Sequence, residues 1–173
     1  MNRQQFDSLD LNILRMLSAN ARTPYLEIAR ECGVSGAAVH QRIQRLTAAG
    51  VILGSECIVN PAAVGYETCA YVGFYLREPA EFNNVISELR KIPEVVECHF
   101  PTGQYDIFVK LYARNNDHLL TILQDQIQAL GLARTETMIS FKEAFHRQVP
   151  VGSDAEKKKN GKGARPRHST STR

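Results

Sequence analysis

GVSGAAVHQRIQRLTAAG, residues 33–50, is the stretch whose periodicity decides the fold. Gly33 stops whatever precedes it, and Ser35 is a side chain that caps a helix N-terminus by accepting a backbone N–H. Val39, Ile43 and Leu46 then recur at i, i+4 and i+7, one face of a helix that Gly50 ends. Working upstream, Thr23-Pro24 offers a capping hydroxyl and a proline at the first helical position, and Leu26, Ile28 and Ala29 carry a second helix to Cys32. Further back, Asp7, Ser8 and Asp10 precede Leu11, Ile13, Leu14 and Leu17, which predict a first helix ending near Asn20. Three short helices, the last two joined by a tight glycine-bearing turn, make a helix-turn-helix.

Downstream, Val51 to Val59 is expected to form short strands around Gly54, a wing, and Asn60-Pro61 and Gly65 punctuate a linker. Thr68 to Leu76 has the composition of a buried strand whose aromatic residues, Tyr71, Phe74 and Tyr75, suit a subunit interface or a monomer core equally. Pro79 opens a helix with Phe82, Val85, Ile86, Leu89 and Ile92 on one face, and Pro93 closes it. Val95 to Phe100 is a second strand and Pro101-Thr102-Gly103-Gln104 a turn. Tyr105 to Ala113 is a third strand with Tyr105, Ile107, Val109 and Leu111 on one face. Asp117 caps a helix lined by Leu119, Leu120, Leu123, Ile127 and Leu130 and ended by Gly131; Thr135, Thr137, Ile139 and Phe141 alternate along a last strand. The order β-α-β-β-α-β is the ferredoxin-like motif. The fold class is therefore α+β: a winged helix-turn-helix DNA-binding domain over 1–60, a linker over 61–65, a ferredoxin-like domain over 66–150, and a disordered basic tail over 151–173.

At 43% hydrophobic and 23% charged, with no long apolar run, the chain reads as soluble, with no membrane partner. No secretory signal is visible at the N-terminus, so a cytoplasmic location is expected. Cys32, Cys57, Cys69 and Cys98 form no CxxC pair and are expected to be buried free thiols. The five histidines are scattered, so no metal site and no cofactor is predicted. The net charge of +3 divides unevenly: residues 153–173 hold seven Lys or Arg against two acids, +5, and the rest of the chain is −2.

The chain resembles the Lrp/AsnC family, the feast/famine regulators, over roughly residues 8–146. The matching residues are Leu9-Asp10 with Ile13-Leu14, Ala21-Arg22-Thr23, Gly33-Val34-Ser35, Arg42-Ile43 with Arg45-Leu46, Gly50-Val51-Ile52 and Gly65. In the second domain they are Thr102-Gly103 with Tyr105-Asp106, and Thr135-Glu136-Thr137. Gln104 stands where the family usually has an acidic or similarly polar residue, and Asn12 where it often has aspartate. The resemblance implies a transcriptional regulator, not an enzyme and without catalytic residues, whose ferredoxin-like sheets pair back to back into homodimers that assemble to octamers. It also implies an amino-acid or related effector bound between dimers.

With Val39, Ile43 and Leu46 facing inward, Ala37, His40, Gln41, Gln44 and Arg45 point outward, and between Cys32 and Ser55 there are two arginines and no acid, a locally positive face for double-stranded DNA. Gln41 and Gln44 have the amide geometry for an adenine edge, against the reading of a solvated face. Arg45 suits guanine or a phosphate, and Ser35 and Gly36 at the helix N-terminus suit a backbone phosphate. Arg42 divides between a phosphate contact and a structural ion pair. For the effector, the resemblance nominates Gly103, Gln104, Tyr105, Asp106, Thr135 and Thr137, against the plain reading of a hairpin turn and β-favouring threonines. Two other functions stay open: a chromatin-organising DNA-binding protein that uses its basic tail, and a siroheme-decarboxylase-like enzyme.

Overall fold

The computed structural model describes residues 6–152, so the tail assigned to 151–173 lies outside the described residues from 153 onward. The chain divides into two compact units, one made of the N-terminal residues to Glu56 together with the chain from Arg147, the other of Cys57–His146.

In the first unit, α1 is Ser8–Ala19, α2 is Tyr25–Cys32 and α3 is Gly36–Ala48. Ser35 caps α3 as expected, its Oγ accepting the Ala38 N–H at 3.2 Å. Gly33 and Gly50, at φ +66° and +69°, adopt the left-handed conformation that closes α2 and α3 without a Cβ penalty. Ile13, Ile28, Ala29, Val39 and Ile43 form the core, with Leu9, Met16, Leu17 and Ile52 packed against it. Thr23 does not cap α2: its hydroxyl donates back to the Asn20 carbonyl, and Pro24 occupies the N-cap position. The wing is not formed either. No strand exists between residues 51 and 60, because the Val51 and Ile52 N–H groups both bond the Leu46 carbonyl at the end of α3 and are lost to any ladder.

In the second unit the strands are β1, Thr68–Tyr75; β2, Val95–His99; β3, Ile107–Ala113; and β4, Arg134–Ser140. Their order is β2-β3-β1-β4 with all pairs antiparallel, the ferredoxin-like arrangement. Helix α4, Phe82–Leu89, and helix α5, Asn116–Thr121, cover one face. Ala70, Val72 and Phe74 of β1 and Ile107, Val109, Leu111 and Ala113 of β3 are fully buried on that face. Asn115, not Asp117, caps α5, accepting the His118 N–H at 2.8 Å. Beyond Thr121 the helix continues as a π turn, Ile122–Ile127, then a 3-10 turn, Gln128–Leu130. Leu119 and Ile122 are buried at ordinary helical spacing and Leu120 is exposed, so Leu120 leaves the expected stripe; across the wider turn the next buried side chain is Ile127.

The region expected as a linker holds a 3-10 turn, Ala62–Val64, closed by left-handed Gly65. All four cysteines are free thiols, but Cys57 and Cys98 are exposed and the other two half-buried, so none is the fully buried group expected. No helix among the described residues is long and apolar enough to cross a membrane.

Candidate DNA interface and effector site

On α3, His40, Gln41, Gln44 and Arg45 are exposed, as is Ala37, opposite the buried Val39, Ile43 and Leu46. The His40 ring lies 5.9 Å from that of Tyr25 on α2. Gly36 is where the two helices come close: a Cβ there would stand 3.2 Å from Leu26 Cδ2, so Gly36 serves packing as well as any phosphate.

The two arginines of α3 are not free cations. Asp10, 1% exposed, sits beneath them. Arg45 Nη2 donates to both of its carboxylate oxygens, at 2.8 and 2.6 Å, and Arg42 Nη1 reaches Asp10 Oδ1 at 3.1 Å. Arg42 also pairs with Asp7. Asp7 and Asp10 in turn hold each other's backbone N–H groups in a capping box at the start of α1. The Asp10 N–H and then Arg42 keep the Asp7 carboxyl below its usual value. Arg42 thus makes ion pairs with Asp7 and Asp10 within the helical unit. The locally positive face is compensated by acids that lie some thirty residues away in sequence and meet α3 only in the fold, as the separations of 32 and 35 residues show. A window from Cys32 to Ser55 contains no sign of them. Asp7 and Asp10 are legible in the sequence as caps, not as counter-ions.

In the second unit the face of the sheet away from the helices carries a row of rings. Tyr71 stacks on Phe108 at 5.8 Å, Phe108 on Tyr105 at 5.7 Å, and Tyr105 meets Tyr75 edge-on at 5.4 Å. Tyr105 therefore lies on the opposite face from Ile107, contrary to the alternation expected: the chain turns at Asp106, whose N–H bonds the Phe74 carbonyl. The Tyr105 ring rests on Gly73, in the space that a Cβ there would occupy. Phe74 points the other way, into the core, so the aromatic face comprises Tyr71 and Tyr75 without it. Lys110, 7% exposed, is on the ring-bearing face, 3.5 Å from Glu97, 3.4 Å from Glu143 and 5.4 Å from the centre of Tyr112. Burial works against its charge, but the Tyr112 hydrogen bond and the Glu97 charge outweigh it and hold Lys110 above its usual value.

The turn nominated for effector binding ends in a polar cluster. Tyr105 donates to Glu136 Oε2 at 2.8 Å, Tyr75 to Glu136 Oε1 at 3.4 Å, and Arg134 pairs with the same carboxylate at 2.5 Å. The bond to Glu136, with burial second, raises the Tyr105 phenol above its usual range. Asp106 Oδ2 accepts the Leu76 N–H at 2.8 Å, so one of its oxygens is committed to the fold. Gly103 is exposed with φ +133°, and Gln104 is exposed beside it. Thr135 and Thr137 pair opposite Phe74 and Val72, which puts them on the helix side of β4, while Glu136 opposes Gly73 on the ring side. Within one chain the two threonines and the Tyr105 ring are on opposite faces. Glu136 stands between the two nominated threonines without having been nominated itself; strand parity with the ring-bearing face is the signal that finds it.

A helix-turn-helix unit followed by a ferredoxin-like unit defines a class of DNA-binding regulators. Residues 6–47 match the AsnC-type helix-turn-helix domain and residues 69–150 the Lrp/AsnC ligand binding domain. The regulatory protein AsnC of Haemophilus influenzae is 36% identical over 144 residues, 83% of this chain and 96% of that protein. The regulator Ptr1 of Methanocaldococcus jannaschii is 34% identical over 141 residues, covering 79% and 95%. Among solved structures, Escherichia coli AsnC superposes with a TM-score of 0.79 at 34% identity over 84% of this chain and 98% of that one. A feast or famine regulatory protein of Mycobacterium tuberculosis, complexed with L-methionine, gives 0.80 at 26% identity over 85% and 99%. The chain belongs to the Lrp/AsnC family of transcriptional regulators.

Proposed function

We propose that this protein is a sequence-specific transcriptional regulator that binds double-stranded DNA through α3, acts in the cytoplasm as a homodimer assembling further to an octamer, and changes its DNA affinity or assembly with a bound amino acid. The observation that carries the reading is the outward face of α3: His40, Gln41 and Gln44 are exposed and uncommitted to the core, on a helix whose N-terminus is capped by Ser35. Amide side chains so placed read an adenine edge, Ala37 suits a thymine methyl, and Ser35 and Gly36 suit a backbone phosphate. Arg45, held by Asp10 through Nη2, keeps further donors for a phosphate. One such helix reads few base pairs, and a two-fold dimer doubles the site. The half-buried rings of Tyr71, Tyr75 and Phe108 supply an apolar sheet face for that dimer.

For the effector, the M. tuberculosis relative complexed with L-methionine supports a free amino acid. Gly103 and Gln104 are exposed at the turn, and Asp106 keeps one oxygen for an ammonium group. Thr135 and Thr137, on the other side of β4, contribute where a second dimer covers that edge. The relatives are named as regulators, which favours this reading over a tetrapyrrole enzyme.

The test is binding to the DNA upstream of the protein's own gene, compared with random DNA, with and without each common amino acid. Preference for the upstream DNA that shifts with an amino acid supports the whole reading. Preference that no amino acid alters removes the effector. No preference removes sequence-specific regulation.

A further inference from the structure

We propose that the phosphate-neutralising charge of the DNA interface comes from α2 and the turn ahead of it rather than from α3: Arg22 and Arg30, with Tyr25 between them, hold a stretch of duplex backbone while α3 reads bases. The inference rests on the DNA-binding reading above and adds to it residues outside α3.

Three observations converge. The first is where the uncompensated cations are. Residues 6–56 hold five arginines, five acids and no lysine. Arg42 and Arg45 are engaged by Asp7 and Asp10, and Arg15 of α1 donates to Asn12 Oδ1 and, where the chain rejoins this unit, to the Val151 carbonyl. The guanidinium groups of Arg22 and Arg30 are exposed and have no partner among the described residues. DNA affinity is dominated by phosphate neutralisation, and an arginine with no ion pair to surrender supplies it most readily. The second is position. The Tyr25 ring lies 5.9 Å from that of His40, and Leu26 Cδ2 would stand 3.2 Å from a Cβ on Gly36, so this side of α2 borders the reading face of α3. A helix turns by about 100° per residue, which puts Arg30 about 40° round from Leu26 on that border, and the acids Glu27 and Glu31 about 100° and 140° round from Leu26, off it. Ahead of α2 the Arg22 N–H bonds Asn20 Oδ1 at 3.0 Å, and the Thr23 hydroxyl bonds the Asn20 carbonyl at 2.7 Å, so Arg22 stands on a fixed turn. The third is Tyr25 itself, 42% exposed at the first position of α2, with no hydrogen bond from its hydroxyl among the described residues. Arginine guanidinium and tyrosine hydroxyl are backbone-contacting groups. In a helix-turn-helix the helix before the reading helix crosses the DNA backbone, which sets these three side chains over phosphates.

The test compares the full chain with three full-length variants: Arg22→Gln combined with Arg30→Gln, Arg42→Gln alone, and Tyr25→Phe alone. Folding of each is checked by its chemical-denaturation midpoint, and binding to the upstream DNA and to a random duplex of equal length is titrated with salt. The double variant is expected to weaken both complexes on the order of tenfold at low salt and to make the slope of log affinity against log salt shallower by about 2 per bound protomer, with the midpoint and the upstream-to-random preference kept. Arg42→Gln should lower the midpoint and change the slope by less than half as much, because its charge is already taken by Asp7 and Asp10. Tyr25→Phe should weaken both complexes by roughly 2- to 10-fold with the slope kept, since the hydroxyl it removes carries no charge. An unchanged slope in the double variant overturns the assignment, as does a slope change in Arg42→Gln as large as that of the double variant. Unchanged affinity in Tyr25→Phe removes Tyr25 from the interface. If the full chain binds neither duplex, the DNA-binding reading itself fails, a result distinct from these.

Discussion

Asp10 shows how much one side chain can organise. It is buried, closes the capping box of α1 and takes both arginines of α3, so it joins a local signal to a tertiary contact. Removing one partner of a buried ion pair leaves the other uncompensated. Both arginines are partly exposed, at 30% and 56%, so water repays some of that loss. Asp10→Asn should destabilise the helical unit by about 1–2 kcal/mol, less than for a fully buried pair. Chemical denaturation is the check, and an unchanged midpoint would show that the arginines find water equally good. Gly73 is the second such residue. Its lack of a Cβ is what lets the Tyr105 ring lie on β1. Gly73→Ala should cost about 1–3 kcal/mol by overpacking. Adding Tyr105→Ala should recover part of that, since the two share one space; strictly additive effects would contradict the contact.

Among the elements, α3 and β4 carry function differently. Gln41 and Gln44 point outward without a charge, so Gln41→Ala and Gln44→Ala should each lower the preference for the upstream DNA by about 1–3 kcal/mol while leaving the salt slope alone. A changed slope with unchanged preference would move them from base reading to phosphate contact. For β4 the register decides: an edge strand one residue out of phase would exchange Glu136 for Thr135 or Thr137 beside Tyr105. The bond from Tyr105 to Glu136 ties the nominated turn to that edge. Tyr105→Phe should therefore change the response to an amino acid while leaving binding to DNA without effector intact; the upstream-DNA titration shows it, and an unaltered response would separate the turn from sensing.

For the whole molecule, pH acts through carboxylates in both units. Asp7 is held below 3.8 by the Asp10 N–H and Arg42. Burial opposes the charge of Glu97, but the His99 hydrogen bond and Lys110 together outweigh it and hold this carboxyl below 4.5. A depressed acid stabilises the fold above its unfolded value, and that contribution is lost as pH falls through the folded value. Thermal unfolding midpoints should drop on acidification below about pH 4, and less so for the helical unit in Asp7→Asn. A midpoint flat through that range would refute the coupling. The sheet face makes the last prediction: Tyr71→Asp places a charge among the rings and should shift sedimentation towards monomer, whereas an unchanged assembly would put the dimer contact elsewhere.

Much of the fold was legible because its signals are local. Ser35, Gly33 and Gly50 mark their helices through their own backbone geometry, and Val39, Ile43 and Leu46 declare the buried face by spacing alone. The β-α-β-β-α-β order comes likewise from period and punctuation. Local signals failed for reasons that lie outside any window. The wing was lost because Leu46 takes the N–H groups of Val51 and Ile52, and beyond α5 the buried stripe passes from Ile122 to Ile127 because a π turn is wider than an α turn. In the site, the outward residues of α3 were readable from helical rotation. Their electrostatic state was not, because Asp7 and Asp10 approach Arg42 and Arg45 only once α1 packs on α3. Which elements form, in what order, and which side chains of α3 face out are thus written along the chain. Which charges cancel, which face Tyr105 joins, and where the chain rejoins α1 are settled in three dimensions, because contacts between residues distant in sequence leave no periodic trace.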